Sequence, residues 1–235
     1  MVWIRGNNGK FGVKVQMEET RHKMEHITKE QFTGIWNYFL SLENDLSNTS
    51  RYIEPSGQEE VHSFEFAKLI ILSCTEAESL MKIICFELTG EEKGNIGEYK
   101  GVILGNLPNI VSAEVSISRL GKNIAPFAGW NIGALQWWDS YGLIKHSRGN
   151  EFDKANYINA VTALSAVYVL IFYLAKMCGF SFSDTESNYI HSGYAHLKLA
   201  CAPSQELPDF ITGKAGPVQN GVLKLSTTND TELHE

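Results

Sequence analysis

The chain has 235 residues, enough for one domain with a sizeable core plus extensions, and its 43% hydrophobic and 20% charged residues are those of a soluble globular protein. A formal charge of -7 excludes a protein that coats nucleic acid through bulk electrostatics, which needs a basic surface to displace counterions, although a small local basic site stays open. Cys74, Cys85, Cys178 and Cys201 form no C-x-x-C pair, and the N-terminus has no apolar run followed by a small-residue cleavage site, so a reducing cytoplasm is the expected setting and the Asn-x-Ser/Thr sequences at Asn48 and Asn229 carry no glycosylation meaning.

Residues 1–26 read as an extension, with Gly6, Gly9 and Gly12 among polar residues and no helical period. The domain is expected to begin near Ile27. Thr28 and Gln31 form a capping-box pattern, Ile27 and Phe32 are spaced for a hydrophobic staple, and Phe32, Ile35, Trp36, Phe39 and Leu46 recur at helical spacing to about Ser47. After a polar linker with Pro55 and Gly57, a long helix is predicted from Val61 to Leu88, stopped by Gly90. Its seam of Ile71, Cys74, Glu78, Met81, Cys85 and Leu88 places Glu78 on an apolar face, where an ionised carboxylate needs a partner. Lys145, His146 and Arg148 across the bundle are one set of partners, and Lys82 one turn along is the other.

Residues 91–135 carry seven glycines, two prolines and the alternating run Val111, Ala113, Val115 and Ile117, which predicts an irregular insert with a strand or hairpin, pinned to the helices by Phe127 and Trp130. Two more helices are expected, Leu135 to Ser147 and Glu151 to Cys178, with Asn150 capping the second and Asp153 at its third position. Ile158 to Ala175 has no formally charged side chain and approaches bilayer-spanning length. Asn159, Thr162, Ser165 and two tyrosines favour a buried core helix over membrane attachment. Periodicity fades beyond Gly179, so residues 181–235 read as a partly disordered extension in which Val222 to Leu225 has the pattern of a short strand. The expected fold is mainly α, a bundle of four to five helices over 27–180 with a small irregular or β insert.

The segment WWDSYGLIKHSR, Trp137 to Arg148, is the densest in groups able to bind or react. On a helix Asp139, Leu143 and His146 share a face, and Gly142 leaves space beside the imidazole, as a small polar pocket requires. A titratable His146 with Lys145 and Arg148 in the same final turn suits phosphodiester chemistry, the imidazole moving a proton and the cations stabilising charge on phosphate. Alternatively, the cations complement the helix dipole and the histidine is structural, in which case its loss should lower the melting temperature by several degrees. Trp137, Trp138 and Tyr141 are able to stack bases or to fill a core, and Asn156 and Asn159 to reach the pocket or join helices. Gly6 to Phe11 lacks the full glycine spacing of a phosphate loop, and there is no H-E-x-x-H, G-x-S-x-G or calcium loop. His191 and His196 stand five apart, wrong for two ligands on one helical face, so neither metal nor cofactor is expected.

At these residues the chain resembles the HEPN superfamily of helical domains, in particular diverged bacterial and phage-associated members with the pattern W-W-x-x-Y-N-x-x-K-H-x-R before an apolar helix. The match is Trp137, Trp138, Tyr141, Lys145, His146 and Arg148, continued by Phe152, Ala155, Asn156 and Asn159, with the helix bearing Glu76, Glu78, Lys82 and Cys85 similar to the family's long first core helix. The resemblance covers roughly Thr28 to Gly179. It implies a helical homodimer from a cytoplasmic defence, toxin-antitoxin or stress system that binds RNA or a nucleotide, and in catalytic members a metal-independent ribonuclease. Here His146 would be the general acid or base, Arg148 and Lys145 the phosphate stabilisers, and Glu78 the group that orients them, with Trp137, Trp138, Tyr141, Asn156 and Asn159 on the substrate. The chain departs from the catalytic pattern, because no arginine stands four to six residues before His146, and Gly142 occupies the place of the relatives' asparagine. The alternative implied is a non-catalytic module that binds another protein, as an antitoxin, scaffold or regulatory partner.

Overall fold

The computed structural model describes residues 25–117, 119–147, 149–180 and, as backbone, 197–199. Thr28 opens the first helix, α1 (Lys29–Thr49), through the expected capping box: its hydroxyl accepts the Gln31 N–H at 3.2 Å while Gln31 Oε1 accepts the Thr28 N–H at 2.9 Å. Phe32, Trp36, Phe39, Leu42 and Leu46 make its buried stripe. The chain just before it is fastened to the end of the next helix, where Glu87 accepts the Ile27 N–H at 2.7 Å and lies 2.8 Å from His26 Nδ1.

That helix, α2 (Phe64–Thr89), is capped by Ser63 and ends at Gly90, whose φ of 70° is one that residues with a Cβ rarely adopt. It starts later than Val61 because residues 59–63 run extended beside 155–158, with Ser63 N–H donating to the Ala155 carbonyl and Tyr157 N–H to that of Val61. The buried face of α2 takes in Cys74, Met81 and Cys85 of the predicted seam together with Ile70, Ser73, Ala77, Leu80 and Ile84, while Ile71, Glu78 and Leu88 lie at its margin. Glu78 therefore sits at the flank of the core and not within it.

The insert contains a helix that its composition hides. Asn95 caps α3 (Ile96–Asn106) by accepting the Gly97 and Glu98 N–H groups, and Tyr99 and Ile103 bury its inner face. Val111 and Ala113 belong to a short 3-10 helix and its end, so the strand is shorter than the alternation suggested. β1 (Val115–Ile117) pairs antiparallel with β2 (Lys122–Ile124) and, on its other edge, with β3 (Leu197–Leu199), giving the order β2-β1-β3. β3 comes from the region expected to be a C-terminal extension, while Cys201 and the strand expected at Val222 to Leu225 lie outside the described residues.

α4 (Gln136–Ser147) and α5 (Tyr157–Cys178) complete the bundle. Asn156, not Asn150, caps α5, and residues 152–154 form a 3-10 turn before it. α5 packs chiefly on α2, with α1 and α4 against its remaining sides. By length and composition it could cross a membrane, yet 83% of its most apolar window is buried inside the bundle. The fold is thus mainly α with a small β insert.

Burial here has a chemical consequence at high pH. Tyr99 is fully buried, its hydroxyl makes no hydrogen bond of good geometry among the described residues, and burial with the Glu78 carboxylate nearby pushes it up to about 12. Burial likewise pushes Tyr157 up to about 12. The folded chain holds both protons more tightly than the unfolded one, so stability is full below the ordinary tyrosine pKa of about 10 and falls as pH rises from there to 12. The loss is expected to be about 2–3 kcal/mol per tyrosine. Tyr99→Phe should be at least as stable as the parent at pH 7, since it deletes an unpaired hydroxyl, and should lose less urea resistance between pH 8 and 11. An unchanged alkaline slope would show that Tyr99 is not the group responsible.

Candidate functional site

α4 carries the segment singled out in the sequence, and its aromatic residues divide by burial. Trp137 is 1% exposed, donates its indole N–H to the Pro126 carbonyl at 2.7 Å and meets Phe127 edge-on at 6.0 Å. It is a core residue and has no face free to stack on a base, which corrects its expected role at the substrate. Phe127 thus pins the insert to α4, and Trp130 packs on Phe127 within the insert, 5.3 Å away. Trp138 is half-buried between Trp137 and Tyr141, with ring centres 5.7 and 5.5 Å away.

The predicted catalytic cluster does not assemble among the described residues. Glu78 pairs with Lys82 at 3.3 Å, the local alternative, and no bond links it to Lys145 or His146. Lys145 is exposed, and its ammonium folds back on Tyr141, 3.4 Å from the hydroxyl and 5.4 Å from the ring centre. His146 is exposed and makes no hydrogen bond or ion pair among the described residues, so it is not part of a buried structural network either. Arg148 lies outside the described residues.

A cavity of about 600 Å³ opens instead between the first two turns of α4 and the start of α5, lined by Glu60, Asp139, Ser140, Asp153, Asn156 and Asn159. Leu143 supplies an apolar wall. The cavity takes in Asp139, Leu143, Asn156 and Asn159, whereas His146, around which the sequence reading centred its pocket, is not among its described lining residues. Asn156 organises the floor. Its Oδ1 accepts the Asn159 N–H at 3.0 Å as the helix cap, and its Nδ2 donates to Glu60 Oε2 at 2.8 Å, tying α5 to the extended segment before α2. Asn159 Nδ2 donates to the Lys154 carbonyl at 2.9 Å. Ser140, Glu60, Asp153 and Lys154 were not singled out as site residues from sequence; Glu60 is brought in by pairing between distant segments, which no local pattern announces.

The electrostatics follow from this lining. Among the described lining residues three carboxylates face the space, and the one ammonium, Lys154, is 2.8 Å from Asp153 and by that bond holds the Asp153 carboxyl below its usual range. The described lining is therefore net negative and includes no imidazole. Among the described residues no group of three or more His, Cys, Asp and Glu side chains is placed to hold a metal ion. No family model, curated protein or solved structure matches the chain.

Proposed function

We propose that the chain is a non-catalytic, HEPN-like interaction module whose recognition site is the cavity between α4 and the start of α5. The observation that carries this reading is the acidic lining of that cavity with His146 outside it. Phosphodiester cleavage needs an imidazole and a cation converging on one phosphate. Here the Lys145 ammonium rests on Tyr141, and the neighbouring concave surface repels a polyanion. The homodimer, the protein partner, the cytoplasmic setting and the bacterial defence or stress system that the resemblance implies belong to the same proposal.

Incubation of the purified protein with total cellular RNA in EDTA, alongside His146→Ala, tests it. Both should leave the RNA intact. His146→Ala should also melt within about 2 °C of the parent, because a surface side chain without partners contributes no more than about 0.5 kcal/mol. Cleavage by the parent and not by the variant would establish the ribonuclease in place of the binding module.

A further inference from the structure

We infer that this cavity binds a small organic cation group, an alkylammonium or a guanidinium; the inference deepens the reading of the cavity as a recognition site and rests on it. Ser140 is only 3% exposed and lines the cavity, yet its hydroxyl makes no hydrogen bond among the described residues. The helical hydroxyls of Thr75, Ser79, Thr162 and Ser165 return to the carbonyl four residues back, whereas that of Ser73, sealed in the core and outside the cavity lining, does not. Ser140 does not either, and a buried hydroxyl left open to a cavity is a group awaiting a partner.

The lining is rich in acceptors and in negative charge. Asn159 is 4% exposed and uses its amide nitrogen on Lys154, which leaves its Oδ1 as an acceptor. Glu60 has one oxygen committed to Asn156, and the Asp139 carboxylate has no partner among the described residues. Asn156 Nδ2 and Lys154 Nζ each commit an N–H to a carboxylate, Glu60 and Asp153, and among the described lining residues that single ammonium stands against three carboxylates. Acceptors and negative charge are thus in surplus, and a ligand that brings several N–H groups and a positive charge satisfies both. A phosphate or carboxylate would meet three carboxylates, against which the described lining sets one ammonium, already paired with Asp153.

An organic cation fits better than a metal ion. The space, about 600 Å³, is that of a small-molecule site, and Leu143 and Ala134 offer apolar walls to a methylene chain. Beside Asp153, the Phe152 ring lies 4.8 Å from that of Phe64, which is 73% exposed, and 5.3 Å from His62. Exposed aromatic faces next to an acidic cavity attract a weakly hydrated cation.

The same chemistry is presented by a free amine and by an arginine or lysine side chain of a protein partner. Calorimetric titration of the full chain at low salt would use agmatine, the capped peptide acetyl-Gly-Arg-Gly-amide, and AMP as the anionic control. Binding of agmatine or the peptide is expected, weakened at least about tenfold by Asp139→Asn and several-fold by Ser140→Ala, with none for AMP. Tighter binding of agmatine identifies a free small cation, and tighter binding of the peptide identifies a partner's side chain. Asp139 is exposed, so its variant should fold, and an unchanged melting curve would confirm that. No binding of either cation, or binding that Asp139→Asn leaves unchanged, overturns the inference. Cleaved RNA in the EDTA assay would instead overturn the non-catalytic reading alone, so the two failures are separable.

Discussion

Trp137→Ala is expected to destabilise the protein more than any other change in the WWDSYGLIKHSR segment, by about 4–8 kcal/mol. Truncating a buried tryptophan costs about 3–5 kcal/mol through lost transfer energy and the cavity left behind. Removing the indole also strands the Pro126 carbonyl, now satisfied at 2.7 Å, which adds about 1–3 kcal/mol. A domain with about 5–15 kcal/mol of total stability would be left marginal or unfolded at 37 °C. Trp137→Phe separates the two terms, since it keeps a ring against Phe127 and loses only the donor and part of the area. Trp138→Ala should cost much less, because Trp138 is half-buried. Urea unfolding followed by circular dichroism would rank the three. If Trp137→Ala were no worse than Trp138→Ala, the placement of Trp137 in the core would be wrong.

The pair Trp137 and Trp138 shows what a sequence alone resolves. Helical spacing places both on α4, but which one turns inward depends on where the insert returns, and that is fixed by Phe127 and Pro126 rather than by anything in the helix. α1 was legible to its cap, because Thr28 and Gln31 are three residues apart and bond to each other. α3 was not. Gly97, Gly101 and Gly105 each cost a helix about 1 kcal/mol relative to alanine, so propensity argues against it. It forms because Asn95 caps it and Tyr99 and Ile103 are buried by the bundle, a tertiary contribution that outweighs the local preference.

The candidate site was legible in part for the same reason. Asp139 and Leu143 follow from helical spacing, and they do share the cavity. His146 shares their face but sits in the last turn of α4, and the cavity is bounded by residues of the first two turns. The seam that was to carry Glu78 is buried at Cys74, Met81 and Cys85, but Glu78 itself lies at its partly exposed margin beside Lys82. Glu60 enters through the pairing of residues 59–63 with 155–158, a contact between segments about a hundred positions apart whose partner no local pattern specifies.

That pairing also moves the start of α5 from the expected Asn150 to Asn156, and it makes Asn156 the second position of large effect. Asn150 and Asn156 both precede apolar helical sequence, but Asn156 alone is held by the bridge to His62 and by Glu60. Asn156→Ala is expected to cost about 2–4 kcal/mol. Loss of the cap to the Asn159 N–H accounts for about 1–2 kcal/mol. The remainder comes from the buried amide donor to Glu60, a charge-assisted bond of about 1.5–3 kcal/mol, reduced because Glu60 is exposed enough to recover water. Asn156→Ser restores a capping oxygen but not the bond to Glu60, so it should fall between the parent and the alanine variant. Hydrogen exchange at the Asn159 amide adds a local reading: it should accelerate in Asn156→Ala and stay near the parent rate in Asn156→Ser. Equal stability and equal exchange in the two variants would mean that the side chain at 156 is not what starts α5, and that the cavity floor is set by the strand-like pairing alone.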